Sequence, residues 1–290
     1  MEIYFRELKI EDIPAIKDIS KDIWEGDDYI PNVIEEWLQQ KECINYGAFK
    51  DEEKKILIGF GRIKIMSKDL VWLEGGRVKF SLQHQGIGKE MIKYALEYAR
   101  QIKAKTAQYS TYSKNFGSIS LAKKFGFQKK KIMNILESDI KTLKLINKPS
   151  SEVENITAKE SLKIYRNIPN GPGDELCVGW SYTPLKLEYL VNKNWSWIRN
   201  SGAILQKIEF IRTHFQEDPK NNEIWMIVYG EPIAVRELLQ HIIQIDLQTK
   251  NFEKFIVFCH PKITAIIKEI GFSYYDDDPS GVLLFEKHLG

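Results

Sequence analysis

The stretch Gln83-His84-Gln85-Gly86-Ile87-Gly88 lies between a predicted strand that ends near Val78 and a predicted long helix. Two glycines in such a turn are weak evidence alone, because they also suit an ordinary helix start. Their position carries more weight, since amides at a helix start have no intrahelical partner and bear partial positive charge. Gly86 and Gly88 remove side chains that would block a phosphate group. The stretch therefore predicts a phosphate-binding turn.

A second segment, Asn115-Phe116-Gly117-Ser118-Ile119-Ser120-Leu121-Ala122-Lys123-Lys124-Phe125-Gly126-Phe127, follows the next predicted strand. The two segments resemble the Gln/Arg-x-x-Gly-x-Gly turn and the Asn-x-x-Ser/Ala-x-x-Leu-x-x-Lys-x-Gly-Phe helix of the GNAT N-acetyltransferases. The resemblance implies an α/β (α+β) acyl-CoA N-acyltransferase fold, with a mixed, mostly antiparallel sheet and helices on both faces. It also implies acetyl-CoA as the co-substrate.

The resemblance assigns roles along these segments. In the family the asparagine orients the pantetheine arm of the coenzyme, and the N–H near Val78 polarises the thioester carbonyl. The residues that it predicts to bind the coenzyme are Arg77, Val78, Gln83, His84, Gln85, Gly86, Ile87, Gly88, Lys89, Asn115 and, less directly, Ser118. One departure concerns the proton donor, since Ala122 stands where many relatives have a tyrosine. Tyr112 or Tyr109 is a candidate replacement, although either also suits packing.

Glu74 is the predicted catalytic base. It lies four residues before Val78, where family members that act on small amines carry a glutamate working through water. An amine is mostly protonated at neutral pH and must lose a proton before it attacks a thioester. The alternative is an edge carboxylate paired with Arg77 or Lys79. Gly75-Gly76 fits a bulge that splays this strand from its neighbour.

Residues 23–38 and the segment from Glu74 to Val78 carry a closer resemblance to one group within this family. Ile23-Trp24-Glu25-Gly26-Asp27-Asp28-Tyr29-Ile30-Pro31, followed by Trp37-Leu38, is similar to the vertebrate histidine N-acetyltransferase group, whose phosphate turn usually begins with arginine instead of Gln83. The residues that this implies for the acceptor are Trp24, Asp28, Tyr29, Trp72 and Trp180. Asp28 equally suits a helix cap, and the tryptophans suit an ordinary core.

The composition of the chain indicates which classes of partner and ligand to expect. The 42 basic and 40 acidic residues leave a formal charge of +2, so we expect no nucleic-acid partner. The sequence shows neither a signal-peptide pattern nor an apolar run of membrane-spanning length, which favours a cytoplasmic protein without a membrane partner. Cys43, Cys177 and Cys259 are scattered, so we expect no disulfide framework and no metal. The oligomeric state is not predicted.

The chain is long enough for two domains. A polar segment places the boundary near 148, giving a catalytic domain at 1–147 and a degenerate GNAT-like domain at 148–290 that completes the acceptor site. Glu231 and Pro232 replace the phosphate turn there, which predicts no second coenzyme. Periodicity predicts strands near 2–8, 43–49, 55–66, 69–80, 107–112, 127–137, 224–229, 254–259 and 281–287, and helices near 10–19, 31–38, 87–102, 116–124, 233–248 and 262–270.

The leading hypothesis is acetylation of a small-molecule amine, with histidine or a related amino acid favoured. The first alternative keeps the chemistry but takes a protein amino terminus or lysine as the acceptor. The second is a non-catalytic acyl-CoA-binding sensor, which the alanine at position 122 leaves open.

Overall fold

A computed structural model describes residues 2–144, 152–192, 194–210, 223–249, 254–276 and 278–290. The chain divides into two compact units. Unit 1 consists of Met1–Tyr109, Phe116–Lys130 and Phe285–Gly290, and unit 2 consists of Ser110–Asn115 and Lys131–Leu284. The boundary expected near residue 148 lies outside the described residues. In the described part of the chain, no helix is long and apolar enough to span a membrane.

Unit 1 is a mixed sheet with helices. Its elements, three of which also contribute residues to unit 2, are β1 (Tyr4–Glu7), α1 (Ile13–Ser20), α2 (Ile30–Gln39), β2 (Cys43–Phe49), β3 (Leu57–Ser67), β4 (Leu70–Val78), α3 (Ile87–Gln101), β5 (Thr106–Tyr112), α4 (Phe116–Lys124), β6 (Gln128–Asp139) and the strand Gly281–His288. Strands β1 to β4 pair antiparallel in order, and β4 pairs with β5 in parallel.

The helices of unit 1 form because their apolar residues recur on one side. In α3 the buried residues are Ile87, Met91, Ala95, Leu96 and Ala99, which is the stripe expected from the sequence. Helices α1 and α2 bury a second set against the sheet: Ile16, Ile19, Ile30 and Ile34 with Leu57 and Phe60. Both helices carry proline in the first turn, where its missing N–H costs nothing. These two layers hold β4 in place.

Strand β4 is irregular where the sequence predicted a bulge. Its register with β3 shifts between Phe60 and Arg62, and Gly75 adopts φ +66°. A side chain on Gly75 would come 2.8 Å from the Trp37 ring. Within the described ladder, β4 pairs with β5 only from Leu70 to Trp72. The second half of β4 is therefore splayed from β5, as expected.

Unit 2 also has a mixed sheet. Its further elements are β7 (Glu154–Ile156), α5 (Ala158–Tyr165), β8 (Glu175–Cys177), β9 (Tyr182–Pro184), α6 (Leu187–Leu190), β10 (Trp195–Arg199), β11 (Ala203–Phe210), β12 (Glu223–Gly230), α7 (Pro232–Thr249), β13 (Lys254–Cys259), α8 (Thr264–Glu269), β14 (Ser273–Tyr274) and β15 (Gly281–His288). Strands β7, β10, β11 and β12 pair antiparallel, and β12 pairs with β13 in parallel. Helices α7 and α8 cover a core that includes Leu205, Met226, Leu239 and Phe255.

The predicted elements of residues 2–144 and 223–290 are confirmed, with ends shifted by a few residues. The bounds of β2, α4 and β13 match the prediction. Between residues 152 and 210 the sequence pattern predicted no strand or helix. The structure has strands β7 to β11 and helices α5 and α6 there. A capping box of Thr157 and Glu160 starts α5, and this Thr-x-x-Glu signal was readable from the sequence.

Candidate functional site

The start of α3 is an open turn. Gly86 caps the helix in the left-handed conformation, φ +87°, and a Cβ there would meet no atom of the described residues within 4 Å. The Gly86 carbonyl accepts from the amides of Lys89 and Glu90, at 3.0 and 3.2 Å. The amides of Ile87 and Gly88 thus lie in the helix positions that lack an intrahelical acceptor. This geometry fits a diphosphate.

The flanking residues leave that turn accessible. His84, Gln85 and Gly86 are exposed, and His84 shares the left-handed conformation at φ +63°. A Cβ on Gly88 would lie 3.4 Å from the Leu121 side chain, so the helix start also packs on α4. The Gln83 side chain donates weakly to the Val78 carbonyl at 3.5 Å, which ties the turn to the end of β4.

Glu74 lies on the splayed half of β4, and its partner is Arg62 on β3. Arg62 Nη1 is 3.3 Å from Glu74 Oε1, and the two side chains are 4% and 25% exposed. The expected alternative partners are engaged elsewhere: Arg77 pairs with Asp28 and Lys79 with Asp18. Burial raises the pKa of Glu74, while Arg62, Lys64 and a hydrogen bond from the Trp72 side chain oppose that rise. A carboxylate with a raised pKa is a better base near neutral pH.

Asp28 and Arg77 form a two-pronged ion pair. Arg77 Nε and Nη2 donate to the Asp28 carboxylate at 3.0 and 2.9 Å, and Nη1 donates to the Gly76 carbonyl at 3.1 Å. Asp28 also accepts from the Ile30 amide at 3.3 Å. The sequence assigned Arg77 to the coenzyme and Asp28 to the acceptor or to a helix cap. In the structure the two side chains hold each other at the start of α2.

Aromatic rings cover these charges. The Arg77 guanidinium lies 4.4 Å from the Trp24 ring centre, and Trp24 itself is 57% exposed. Trp37 packs edge-on against Tyr29 at 6.0 Å, while Trp72 is buried. Trp24 and Glu25 both have positive φ, at 47° and 59°. Such backbone is costly for residues with side chains and collects at binding sites.

Asn115, Tyr112 and Trp180 belong to unit 2. The Tyr112 hydroxyl donates to the Asp276 carboxylate, and its ring packs edge-on against Trp180 at 5.6 Å. Burial, followed by this hydrogen bond, raises the pKa of Tyr112 to about 12. The backbone N–H of Asn115 donates to the Tyr112 carbonyl at 2.9 Å, which fixes the turn before α4.

The remaining predicted residues lie in unit 1, on or before α4. Tyr109 donates to the Ser118 carbonyl at 3.1 Å and stacks on Phe285, and burial raises its pKa to about 12. Ala122 is fully buried. Tyr109 is thus a packed residue whose hydroxyl is already used.

Comparison with known proteins is consistent with this geometry. Residues 13–127 match the model of the acetyltransferase (GNAT) family. This part of the chain is a GNAT domain. It matches the uncharacterized N-acetyltransferase YvbK of Bacillus subtilis at 29% identity over 120 residues, which are 41% of this chain and 68% of the relative.

Solved structures share the fold over the whole chain. A GCN5-related N-acetyltransferase of Sphaerobacter thermophilus aligns with a TM-score of 0.62 and 11% identity, covering 99% of this chain and 96% of the other. A tandem GNAT protein from the clavulanic acid biosynthesis pathway aligns with a TM-score of 0.61 and 11% identity, covering 100% and 99%. The chain therefore has the GNAT fold, and the family match over residues 13–127 supports an acetyl-CoA-dependent acyltransferase.

Sequence reasoning missed Arg62 in the candidate site, and it named Trp37 in the resemblance without giving it a place in the site. Arg62 is buried, and its guanidinium lies 4.2 Å from the Trp37 ring centre. The available signal was the charge itself, since Arg62 interrupts the apolar run of β3 and a buried charge needs a partner. Within the described residues, no cluster of three or more acidic, cysteine or histidine side chains is arranged to hold a metal ion.

Proposed function

We propose that the protein acetylates the amino group of a small molecule, with Glu74 as the general base. The observation that carries the proposal is the placement of Glu74: half-buried, charge-paired with Arg62, and four residues from the strand end that leads to the open turn of α3. This arrangement puts a proton acceptor on the strand that leads into the helix start to which we assign the phosphates.

The coenzyme would be held by the amides at Ile87 and Gly88, with Gly86 open to its phosphates. Gln83, His84, Gln85 and Lys89 flank the same turn. Acetyl-CoA supplies the acetyl group as a thioester, whose C–S bond breaks as the bond from the acceptor nitrogen forms. The splayed half of β4 leaves backbone groups near Val78 free of the β5 ladder within the described strands. We assign the Val78 amide to the thioester carbonyl.

Glu74 takes the proton that the acceptor nitrogen must lose, through one water molecule. The carboxylate is the active form, so the rate should rise with pH as Glu74 deprotonates. Burial raises the pKa of Glu74, which moves this rise toward neutral pH. The departing thiolate needs little help, because a thiol has a reference pKa of about 8.5. Tyr112 remains the proposed proton donor, although its hydroxyl already donates to Asp276.

The proposed acceptor is a small amine, and an amino acid such as histidine is the first candidate. Trp24, Tyr29 and Trp37 form an aromatic wall in unit 1, which suits a small, partly apolar acceptor. Asp28, which holds the Arg77 guanidinium against this wall, and Trp72, which donates a hydrogen bond to Glu74, are the proposed positioning residues. We also propose that Trp180 contacts the acceptor and that Asn115 contacts the coenzyme. The region 148–290 is proposed to complete the acceptor site.

The test measures thiol release from acetyl-CoA with free amino acids, polyamines and peptides as acceptors. Turnover with small amines supports the proposal. Turnover with peptides alone would move the acceptor to proteins, and coenzyme binding without turnover would indicate a sensor.

The Glu74→Gln variant tests the base. We expect kcat/KM near neutral pH to fall by about 100-fold, and the loss to shrink above about pH 8 as the amine deprotonates unaided. Glu35→Gln is the matched control, because the Glu35 side chain is 70% exposed on α2. A Glu74→Gln enzyme with the parental pH profile would remove Glu74 from catalysis.

A further inference from the structure

Arg62 is an almost completely enclosed charge that pairs with Glu74. Its side chain is 4% exposed, and it lies in β3 between Gly61 and Ile63. Burying a guanidinium is costly unless its donors are paired. A protein that keeps such a charge inside a strand needs contacts that hold it.

Three different groups hold Arg62. Its Nη2 donates to the Gln40 side chain at the end of α2 and to Cys43 Sγ on β2, the latter at 2.8 Å. Its plane lies over the Trp37 ring at 4.2 Å. Only Nη1 is directed at a carboxylate, that of Glu74, at 3.3 Å. The guanidinium is thus held by α2 and β2 through Nη2 and directs Nη1 at Glu74, while its buried Nε has no hydrogen-bond partner among the described residues.

The bulge of β4 sets this contact. Arg62 and Glu74 are cross-strand partners, placed at the point where the β3–β4 register shifts. Directly opposite residues have the closest side chains in an antiparallel pair. Without the bulge at Gly75 and Gly76, a different residue of β4 would face Arg62. The register therefore selects Glu74 as its partner.

We infer that Arg62 is a positioning residue that holds the Glu74 carboxylate in one orientation and in its charged form. The inference rests on the proposed function, because it gives Arg62 its role through the base. Arg62 is assigned neither to the coenzyme nor to the acceptor, and it acts through Glu74.

Several other groups act on the same carboxylate. From β3, Lys64 opposes the rise in the pKa of Glu74, and on β4 the Trp72 side chain donates a hydrogen bond. Tyr29, in the segment before α2, also interacts with Glu74. The charge of Arg77 on β4 is neutralised by its ion pair with Asp28. Among the cations that act on Glu74, Arg62 opposes the rise in its pKa most strongly. Removing Arg62 should therefore raise the Glu74 pKa further.

The test is the pKa of the Glu74 carboxyl in the ligand-free protein, measured by ¹³C NMR with Glu74→Gln to assign the signal. Arg62→Met should raise that pKa by about one unit or more. The acidic limb of the kcat/KM profile should move to higher pH by the same amount. Arg62→Lys keeps the charge but loses the planar fork, so it should shift the Glu74 pKa less while still lowering kcat. This variant replaces Arg62→Met in the titration if Arg62→Met does not fold.

Arg6→Met is the matched control. Arg6 also pairs with a carboxylate, Asp12 at 2.7 Å, and lies over an aromatic ring, that of Phe49 at 4.1 Å. It should lose stability without moving the Glu74 signal. A folded Arg62 variant whose Glu74 titrates at the parental pH would overturn the inference. Since the NMR titration needs no catalysis, it separates this outcome from a failure of Glu74 as the base.

Discussion

Helices α3 and α7 begin at corresponding places, each after a strand that pairs in parallel with the next one, yet their starts differ. At α3, a Cβ on Gly86 would meet none of the described atoms within 4 Å. At α7, a Cβ on Gly230 would lie 2.4 Å from the Gly202 carbonyl oxygen. The first start is open, and the second is filled by the protein's own backbone.

The hydrogen bonds of unit 2 explain how that start is filled. The Glu231 amide donates to the Gly202 carbonyl at 3.0 Å, and the Asn170 side chain donates to the Gly230 carbonyl at 3.1 Å. Asn200 donates to the Ala234 carbonyl at 2.8 Å. The Glu231 N–H, a donor that could otherwise face a phosphate, thus has an internal partner in unit 2. The same order of strand and helix supports a ligand in one case and packing in the other.

The largest expected effect is a loss of stability on substitution of Gly230, which should exceed the loss on substitution of Gly86. Gly230→Ala should destabilise the protein by about 3 kcal/mol, because φ is +142° and the new Cβ would meet backbone atoms. Gly86→Ala should cost only about 1 kcal/mol, since the strain is limited to its left-handed backbone. Thermal or urea unfolding of both variants measures the difference. Equal losses would contradict the contrast between a filled and an open start.

The next effect concerns the coenzyme. Gly86→Asp should weaken acetyl-CoA binding at least about tenfold, ~1.4 kcal/mol, because a carboxylate beside the helix start repels phosphates. Gly86→Asn is the matched control, since asparagine has similar size and similar tolerance of left-handed backbone but no charge. The acetyl-CoA-induced rise in Tm should be lost in the first variant and kept in large part in the second. An unchanged rise in Gly86→Asp would remove the turn from the coenzyme site.

The last prediction is that a substitution at the start of α7 leaves the number of bound acetyl-CoA molecules unchanged. Glu231→Gln removes the negative charge at the α7 start, yet Gly202 still occupies the Glu231 amide. Calorimetry should therefore give one acetyl-CoA per chain in both the parent and this variant. A second equivalent in either protein would show that the start of α7 also binds the coenzyme.

Much of the fold was predictable because its signals are local. The apolar stripe of α3 spans enough residues to show a helical period. Strands β7, β8 and β9 have only three residues each, too few for an alternation to appear. Their positions depend on partners elsewhere in unit 2, which the sequence does not display.

The candidate site divides in the same way. The open turn was predicted because glycine spacing and helix start are neighbours in sequence. The pairing of Arg62 with Glu74 was not, because it depends on the β3–β4 register and on a bulge that shifts it. The Asp28–Arg77 pair likewise joins residues that are distant in sequence. Only Gly75-Gly76 indicated that the register changes near Glu74.

The division of the chain has a consequence for biosynthesis. Unit 1 includes Phe285–Gly290, where the Leu289 amide donates to the Lys105 carbonyl at 2.9 Å and Phe285 stacks on Tyr109. The ribosome makes these residues only after all of Lys131–Leu284. During translation unit 1 therefore lacks the residues of its last strand until Lys131–Leu284 has been synthesised, so it cannot complete its fold before that point.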